Sequence, residues 1–179
     1  MLTLGHAFPD FRLRGVVANE LDDAFIDVSS NDLQGAWSVF VFYPKDFTFV
    51  CPTELAGFGR LEADFRERDT RLFGVSTDSE FVHLAWRRSE ESLNELPYPL
   101  LSDIRRDLSE ALGVLDPDEK VCMRATYIID PDGIVRFAAV QDGSVGRNPD
   151  EILRVLDALQ TGELCPCNWN RGEETIQVA

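Results

Sequence analysis

Basic residues are scarce in this chain: 17 lysines and arginines stand against 32 aspartates and glutamates, a net charge of −15 at pH 7. That deficit argues against nucleic acid and anionic membranes as partners, whose phosphates require a basic face, and an acidic solubilising surface accounts for the excess. Histidine occurs twice, at His6 and His83, and neither lies in a metal-ligand spacing. The Cys165-x-Cys167 pair alone is a weak basis for zinc, so no metal and no bound organic cofactor are expected. Long apolar runs are missing as well. The longest, Trp37 to Tyr43, falls far short of the roughly 20 residues a membrane helix needs, and Pro44 closes it. The opening Met1-Leu2-Thr3-Leu4-Gly5-His6 lacks the basic stretch and apolar core of a secretory leader, so a cytoplasmic protein is expected. No repeat period and no low-complexity linker divides the 179 residues, which fit one domain. In a reducing compartment the four cysteines point away from a disulfide framework, leaving redox chemistry, metal binding or plain burial.

What is present reads as strands alternating with helices. Ser38 to Tyr43, rich in β-branched and aromatic residues, is a predicted buried strand. After a loop over Pro44 to Val50, Cys51-Pro52-Thr53-Glu54 opens a helix. Proline suits a first turn, where its missing N–H is not needed, and Leu55, Phe58, Leu61 and Phe65 follow at helical spacing. Arg71 to Ser76 is the next strand, and Asp78 or Ser79 caps a helix carrying Phe81, Val82, Ala85 and Trp86 on one side. A short strand near Leu100 and a helix from Arg105 to Leu112 follow. Asp130-Pro131-Asp132-Gly133 is a turn between strands Ala125 to Ile129 and Ile134 to Val140, a hairpin. Asn148-Pro149-Asp150-Glu151 supplies an N-cap, a first-turn proline and a capping-box acid for a helix bearing Ile152, Val155, Leu156 and Leu159. Gly162 ends it. This order, with a parallel crossover early and a hairpin late, fits a thioredoxin-like α/β sandwich over residues 1–162. A polar tail, residues 163–179, carries Cys165-Pro166-Cys167-Asn168-Trp169.

Cys51 is the sharpest chemical signal. A thiol at a helix N-terminus meets unpaired N–H groups and the positive end of the helix dipole, both of which favour the reactive thiolate. On position alone, a buried structural cysteine explains it equally well. Cys122 reads as a small buried hydrophobe.

The neighbouring residues carry more. Pro44-Lys45-Asp46-Phe47-Thr48-Phe49-Val50-Cys51 matches the P-x-x-x-T-x-x-C pattern of the peroxiredoxins. With Phe42-Tyr43 before it and Pro52-Thr53-Glu54 after, the string resembles the typical 2-Cys, alkyl hydroperoxide reductase C (AhpC) branch. Gly74 to Ser79, Leu100 to Asp103, Arg124 to Asp130 and the tail match in the same order, so the resemblance spans nearly the whole chain. It implies an α/β thioredoxin-like fold with peroxiredoxin insertions and a C-terminal tail. It also implies a thiol peroxidase in which Cys51 is the nucleophile, Thr48 and Arg124 orient peroxide and thiolate, Pro44 shields the sulfur and Glu54 fixes Arg124. Each has a bland alternative: Thr48 as a loop hydrogen bond, Arg124 as a surface strand residue, Glu54 as a first-turn acid. Cys165 takes the resolving position of V-C-P-x-x-W. Cys167 departs from that pattern and is similar to the three-cysteine actinobacterial form, where it shares or replaces the resolving role. The resemblance further implies a peroxide substrate, thioredoxin or an AhpD-type disulfide reductase as electron donor, and a homodimer assembling into a ring of dimers. Peroxide-sensitive relatives carry G-G-L-G and a C-terminal helix with Tyr-Phe. Ser89 to Asp103 lacks the first and Glu173 to Ala179 the second, so fast disulfide formation is expected.

Three rival readings carry less. A thiol-disulfide oxidoreductase needs C-x-x-C, and Glu54 stands in the second cysteine's place. A cysteine hydrolase lacks a placed histidine. A ring-forming holdase chaperone remains open, and protection of a client protein by Cys51→Ser would support it. Since no metal constellation exists in the sequence, peroxide turnover is expected to survive prolonged dialysis against EDTA, measured on fully reduced protein; inactivation would overturn the cofactor-free reading.

Overall fold

The computed structural model describes residues 4–178. Residues 1–3 and 179, on which the leader reading and the end of the tail fall, lie outside the described residues. Seven strands form one sheet in the order β2-β1-β5-β4-β3-β6-β7. They are β1 (Arg12–Val16), β2 (Phe25–Ser29), β3 (Trp37–Phe42), β4 (Thr70–Ser76), β5 (Leu100–Ser102), β6 (Arg124–Ile129) and β7 (Val135–Gln141). Helices α1 (Cys51–Arg60), α2 (Glu62–Glu67), α3 (Glu80–Ser89), α4 (Asp107–Leu112) and α5 (Pro149–Thr161) cover the two faces. β3 pairs parallel with β4 and antiparallel with β6, so it lies inside the sheet.

That position explains its composition. Successive side chains point to opposite faces, and both faces are covered, so an unbroken apolar run is required rather than an alternation. Phe40 and Phe42 join Phe8, Phe73 and Tyr127 on one side, where α4 adds Leu108 and Leu112. Val39, Val41 and Tyr43 face the other, with Cys51, Leu55 and Phe58 of α1, Trp86 of α3 and Leu156 of α5. The α/β layering expected from the sequence is therefore present. No helix among the described residues is long and apolar enough to cross a membrane.

Several local expectations are refined. The helix opened by Cys51 ends at Arg60, and Leu61, at φ −98° and ψ 4°, joins it to the separate α2. Ser79, not Asp78, caps α3 by accepting from the Val82 N–H. Asn148 caps α5 as read, but Glu151 pairs with Arg154 instead of closing a capping box. The inward face of α3 differs most. His83, Leu84, Trp86 and Arg87 are buried, whereas Phe81 is 61% exposed and Ala85 is exposed. Polar residues go inward there because acceptors await them: Arg87 donates to the carbonyls of Val17, Leu96 and Tyr98.

The β1–β2 hairpin was not foreseen. Its strands are short and carry charge on one face, Arg14 standing opposite Asp27. β1 also pairs antiparallel with β5 and covers what would be a sheet edge. Gly15 makes this possible, since a Cβ there would sit 2.5 Å from Leu101 Cδ2.

Phe40 is fully buried, its ring 4.8 Å from Phe8 and 4.9 Å from Phe73 between centroids. Phe40→Ala is expected to cost about 3–5 kcal/mol, read as a lower urea midpoint at unchanged slope.

Candidate active site

α1 begins at Cys51 because Pro52 cannot supply an internal N–H and Val50 turns the chain without a side-chain cap. Pro52 has no N–H, and those of Thr53 and Glu54 bond back to the Val50 carbonyl at 3.1 and 3.3 Å, which leaves the Cys51 N–H as the helix-end donor beside the sulfur. Cys51 itself is fully buried among Val41, Tyr43 and Leu55.

Arg124, the first residue of β6, reaches across to α1. Its Nη1 donates to Cys51 Sγ at 3.4 Å and to the Glu54 carboxylate, while Nε donates to the Gly143 carbonyl at 2.9 Å. Cys51, Glu54 and Arg124 are thus one cluster, each buried. The surface-strand alternative for Arg124 does not hold. Burial alone would lower the Arg124 pKa, but contact with Cys51 and Glu54 outweighs it and the guanidinium is held charged above its ordinary value.

Arg147 completes the cluster and was not singled out in the sequence. Its Nε and backbone N–H both donate to Glu54 Oε1, at 2.8 and 2.9 Å, and Nη2 donates to Oε2 at 3.1 Å. Nη1 ties the same side chain to the carbonyls of Phe42 and Ala125, at 2.8 and 2.9 Å. The available signal was its place immediately before the α5 cap, read only for Asn148. Burial pushes the Glu54 carboxyl up, yet hydrogen bonds and charge from Arg147, with the Arg124 charge, more than offset this and hold it below the usual glutamate range.

The other candidates are placed as follows. Thr48 donates its hydroxyl to the Lys45 carbonyl at 2.9 Å, the loop bond weighed as its alternative. Pro44 and Arg124 both line a cavity of about 510 Å3, with Cys122, Met123 and Gln141 on its wall. A larger groove of about 650 Å3 lies between α1 and the Glu91–Pro97 segment and contains none of the cluster. Cys122 is 1% exposed and lies 3.1 Å from Ser109 Oγ; burial pushes its thiol up to about 12, leaving it protonated.

The tail cysteines are not gathered at Cys51. Cys165 Sγ lies 3.4 Å from Thr161 Oγ1 and 3.7 Å from the Ala158 carbonyl, at the end of α5, and Cys167 is exposed. The tail is folded rather than loose. Trp169 is 3% exposed, its carbonyl accepts from Arg154 Nη1 at 2.8 Å, and Leu164 bridges Ile176. All four cysteines are free. No group of three or more metal-ligating side chains occurs among the described residues.

The AhpC/TSA family matches residues 4–138, and the C-terminal domain of 1-Cys peroxiredoxin matches residues 158–179. The chain is 52% identical to alkyl hydroperoxide reductase C of Mycolicibacterium smegmatis, covering 99% of this chain and 95% of that protein. Its fold is similar to that of Mycobacterium tuberculosis AhpC, with a TM-score of 0.86 at 48% identity over 95% of this chain and 99% of that one. It is also similar to the reduced 2-Cys peroxiredoxin of Plasmodium vivax, with a TM-score of 0.90 at 35% identity over 97% of this chain and 92% of that one.

The buried carboxylate generates a pH prediction. A pKa lowered by folding contributes stability that is present above the ordinary glutamate value of 4.5 and is lost as pH falls through the lowered native value. Glu54→Gln is expected to destabilise the protein by about 3 kcal/mol at pH 7, the scale of breaking a buried ion pair from one side. In urea titrations the gap to wild type should narrow as pH falls below 4.5 and close at the lowered native value, where the buried carboxyl itself becomes neutral. A gap independent of pH would contradict the assignment.

Proposed function

Because the chain belongs to the AhpC/TSA peroxiredoxin family and is a thiol-dependent peroxidase, we propose that Cys51 is its nucleophile. Hydrogen peroxide and organic hydroperoxides, with peroxynitrite a further candidate, are the substrates. The observation that carries this reading is the Arg124 guanidinium, held 3.4 Å from Cys51 Sγ at the start of α1.

The chemistry needs a sulfur anion and fixed positive charge along the developing S–O–O axis. The Cys51 thiolate attacks one peroxide oxygen, the O–O bond breaks, and the other oxygen leaves as alkoxide or hydroxide, taking up a proton. Sulfur loses two electrons and becomes a sulfenic acid. Arg124 steadies thiolate and leaving oxygen. Glu54 and Arg147 are positioning residues that keep Arg124 on the sulfur. Thr48, once its hydroxyl turns from the Lys45 carbonyl, donates to the peroxide, and Pro44 limits water at the thiolate.

A second thiolate then attacks the sulfenic sulfur, the S–O bond breaks, and hydroxide leaves, taking up a proton as water, with a disulfide formed. We assign this step to Cys165, with Cys167 able to share it, acting from the tail of a partner subunit. Because Cys51 is fully buried, the first turn of α1 must open before a disulfide, with its narrow Cα separation, can form. Thioredoxin or an AhpD-type disulfide reductase returns the thiols. A cytoplasmic homodimer building a ring of dimers is the assembly this reading favours.

The test follows each thiol and Arg124. Cys51→Ser should not reduce even one equivalent of peroxide in stopped flow. Arg124→Ala should raise the pH at which Cys51 is alkylated and slow reaction by about two orders of magnitude. On non-reducing gels the oxidised wild type should run as a linked dimer. Cys165→Ser and Cys167→Ser should each keep partial recycling, and the double variant should complete one turnover and accumulate oxidised Cys51. One-equivalent reduction by Cys51→Ser would falsify the assignment.

A further inference from the structure

Residues 44–50, the segment between the buried Tyr43 and α1, are held from below at one point. Lys45, Phe47 and Phe49 are exposed, Phe49 at 94%, and Phe47 takes a left-handed φ of 55°. The Lys45–Glu119 ion pair is half-exposed and contributes little. Asp46 alone in the segment is buried, at 7% exposure.

Its carboxylate is met by two donors from different elements. Tyr43 Oη donates to Oδ1 at 2.9 Å, and His83 Nδ1, on α3, lies 2.7 Å from Oδ2. His83 is fully buried, and its Nε2 faces the Leu101 carbonyl at 3.2 Å. The Asp46 backbone N–H donates to Asp78 Oδ2 at 3.0 Å, and Asp78 accepts from Ser76 Oγ at 2.8 Å. Burial pushes the Asp46 carboxyl above its ordinary value, against the pull of His83. Its place in the interior therefore depends on those donors.

We propose that His83 and Tyr43, through Asp46, are positioning residues that clamp the Thr48–Cys51 segment in its peroxide-reactive form and set how fast that segment opens for disulfide formation. This rests on the peroxidase reading of Cys51. With the clamp closed, Cys51 faces Arg124 and the first step is fast. With it open, Asp46 leaves the interior, the loop swings away from α3, and the start of α1 unwinds. The sulfenic acid has two fates. A resolving thiolate can attack it and release water, or a second peroxide can oxidise it to the sulfinic acid, releasing alcohol or water. A weaker clamp favours the first.

Phe47 lies 6.1 Å from Trp86 between ring centroids, so loop opening should change tryptophan fluorescence. Stopped flow on the reduced full chain then resolves a phase whose rate scales with peroxide and a peroxide-independent phase of disulfide formation. His83→Leu should speed the second phase roughly tenfold, the scale of one charge-assisted hydrogen bond lost, and slow the first. It should also lower the ratio of sulfinylated to disulfide-bonded Cys51 in peptide mapping. His83→Asn keeps a donor near the Nδ1 position and should move both phases back towards wild type. Where His83→Leu fails to fold, Tyr43→Phe removes the other donor with the ring retained and should shift the phases the same way. An unchanged second phase in a folded variant, or no rescue by His83→Asn, overturns the clamp. Absence of a dimedone adduct at Cys51 in the peroxide-treated Cys165→Ser, Cys167→Ser double variant, where no tail thiol removes the sulfenic acid, would instead sink the peroxidase reading beneath it.

Discussion

One buried carboxylate holds the site together. Glu54 accepts from Arg124 and from three donors of Arg147, and through them α1 is tied to β6, to the end of β3 and to the approach to α5. Two guanidiniums and one carboxylate leave a net positive charge in the interior, which burial opposes. In the proposed mechanism a neighbouring sulfur anion relieves it. The same arrangement that makes the cluster stable around Glu54 thus makes it receptive to a thiolate at Cys51, and structural and chemical demands are met by one set of bonds.

The sheet supplies the rigidity this requires. β3 is packed on both faces, and its C-terminal end delivers Tyr43 and Pro44 directly into the active-site loop. Arg124 begins β6, the antiparallel neighbour of β3, so the registry Val41 to Thr126 fixes the distance between loop and guanidinium. Interiors at native packing density transmit small displacements, so the position of Arg124 relative to Cys51 is set by the sheet together with the Gly143 carbonyl and the Glu54–Arg147 bonds that hold its guanidinium.

Features governed by local rules were legible in the sequence. Proline after Cys51 marks a helix start, Asp130 to Gly133 a turn, and Asn148-Pro149 a capped helix, because each depends on residues a few positions apart. Cys51, Thr48, Pro44 and Glu54 lie within one motif, and Arg124 within a second. Arg147 escaped because its bonds to Glu54 join residues 93 apart, and nothing local distinguishes a buried arginine from a solvated one. The inward face of α3 escaped for the same reason. Periodicity ranks apolar residues first, whereas His83 and Arg87 go inside to meet a carboxylate and backbone carbonyls that other elements bring there.

The two halves of the reaction ask opposite things of the same segment. Under the proposed mechanism, peroxide attack wants Cys51 fixed beside Arg124 in a dry pocket, and capture of the product wants it out. A fully buried sulfur and two tail thiols seated at the end of α5 cannot meet without one of them moving. Trp169 anchors the tail, buried and bound through Arg154 and Glu173, and Asp46 is likewise the one buried side chain of residues 44–50. Few buried contacts and many exposed ones mark segments that open at low cost, and both the loop and the tail, where Trp169 is the one buried side chain among residues 163–178, meet that description. Under the proposed mechanism the burial of Cys51 decides the order: however the tail moves, its thiols reach the sulfur only once the start of α1 opens, so motion at Asp46 to Cys51 is required.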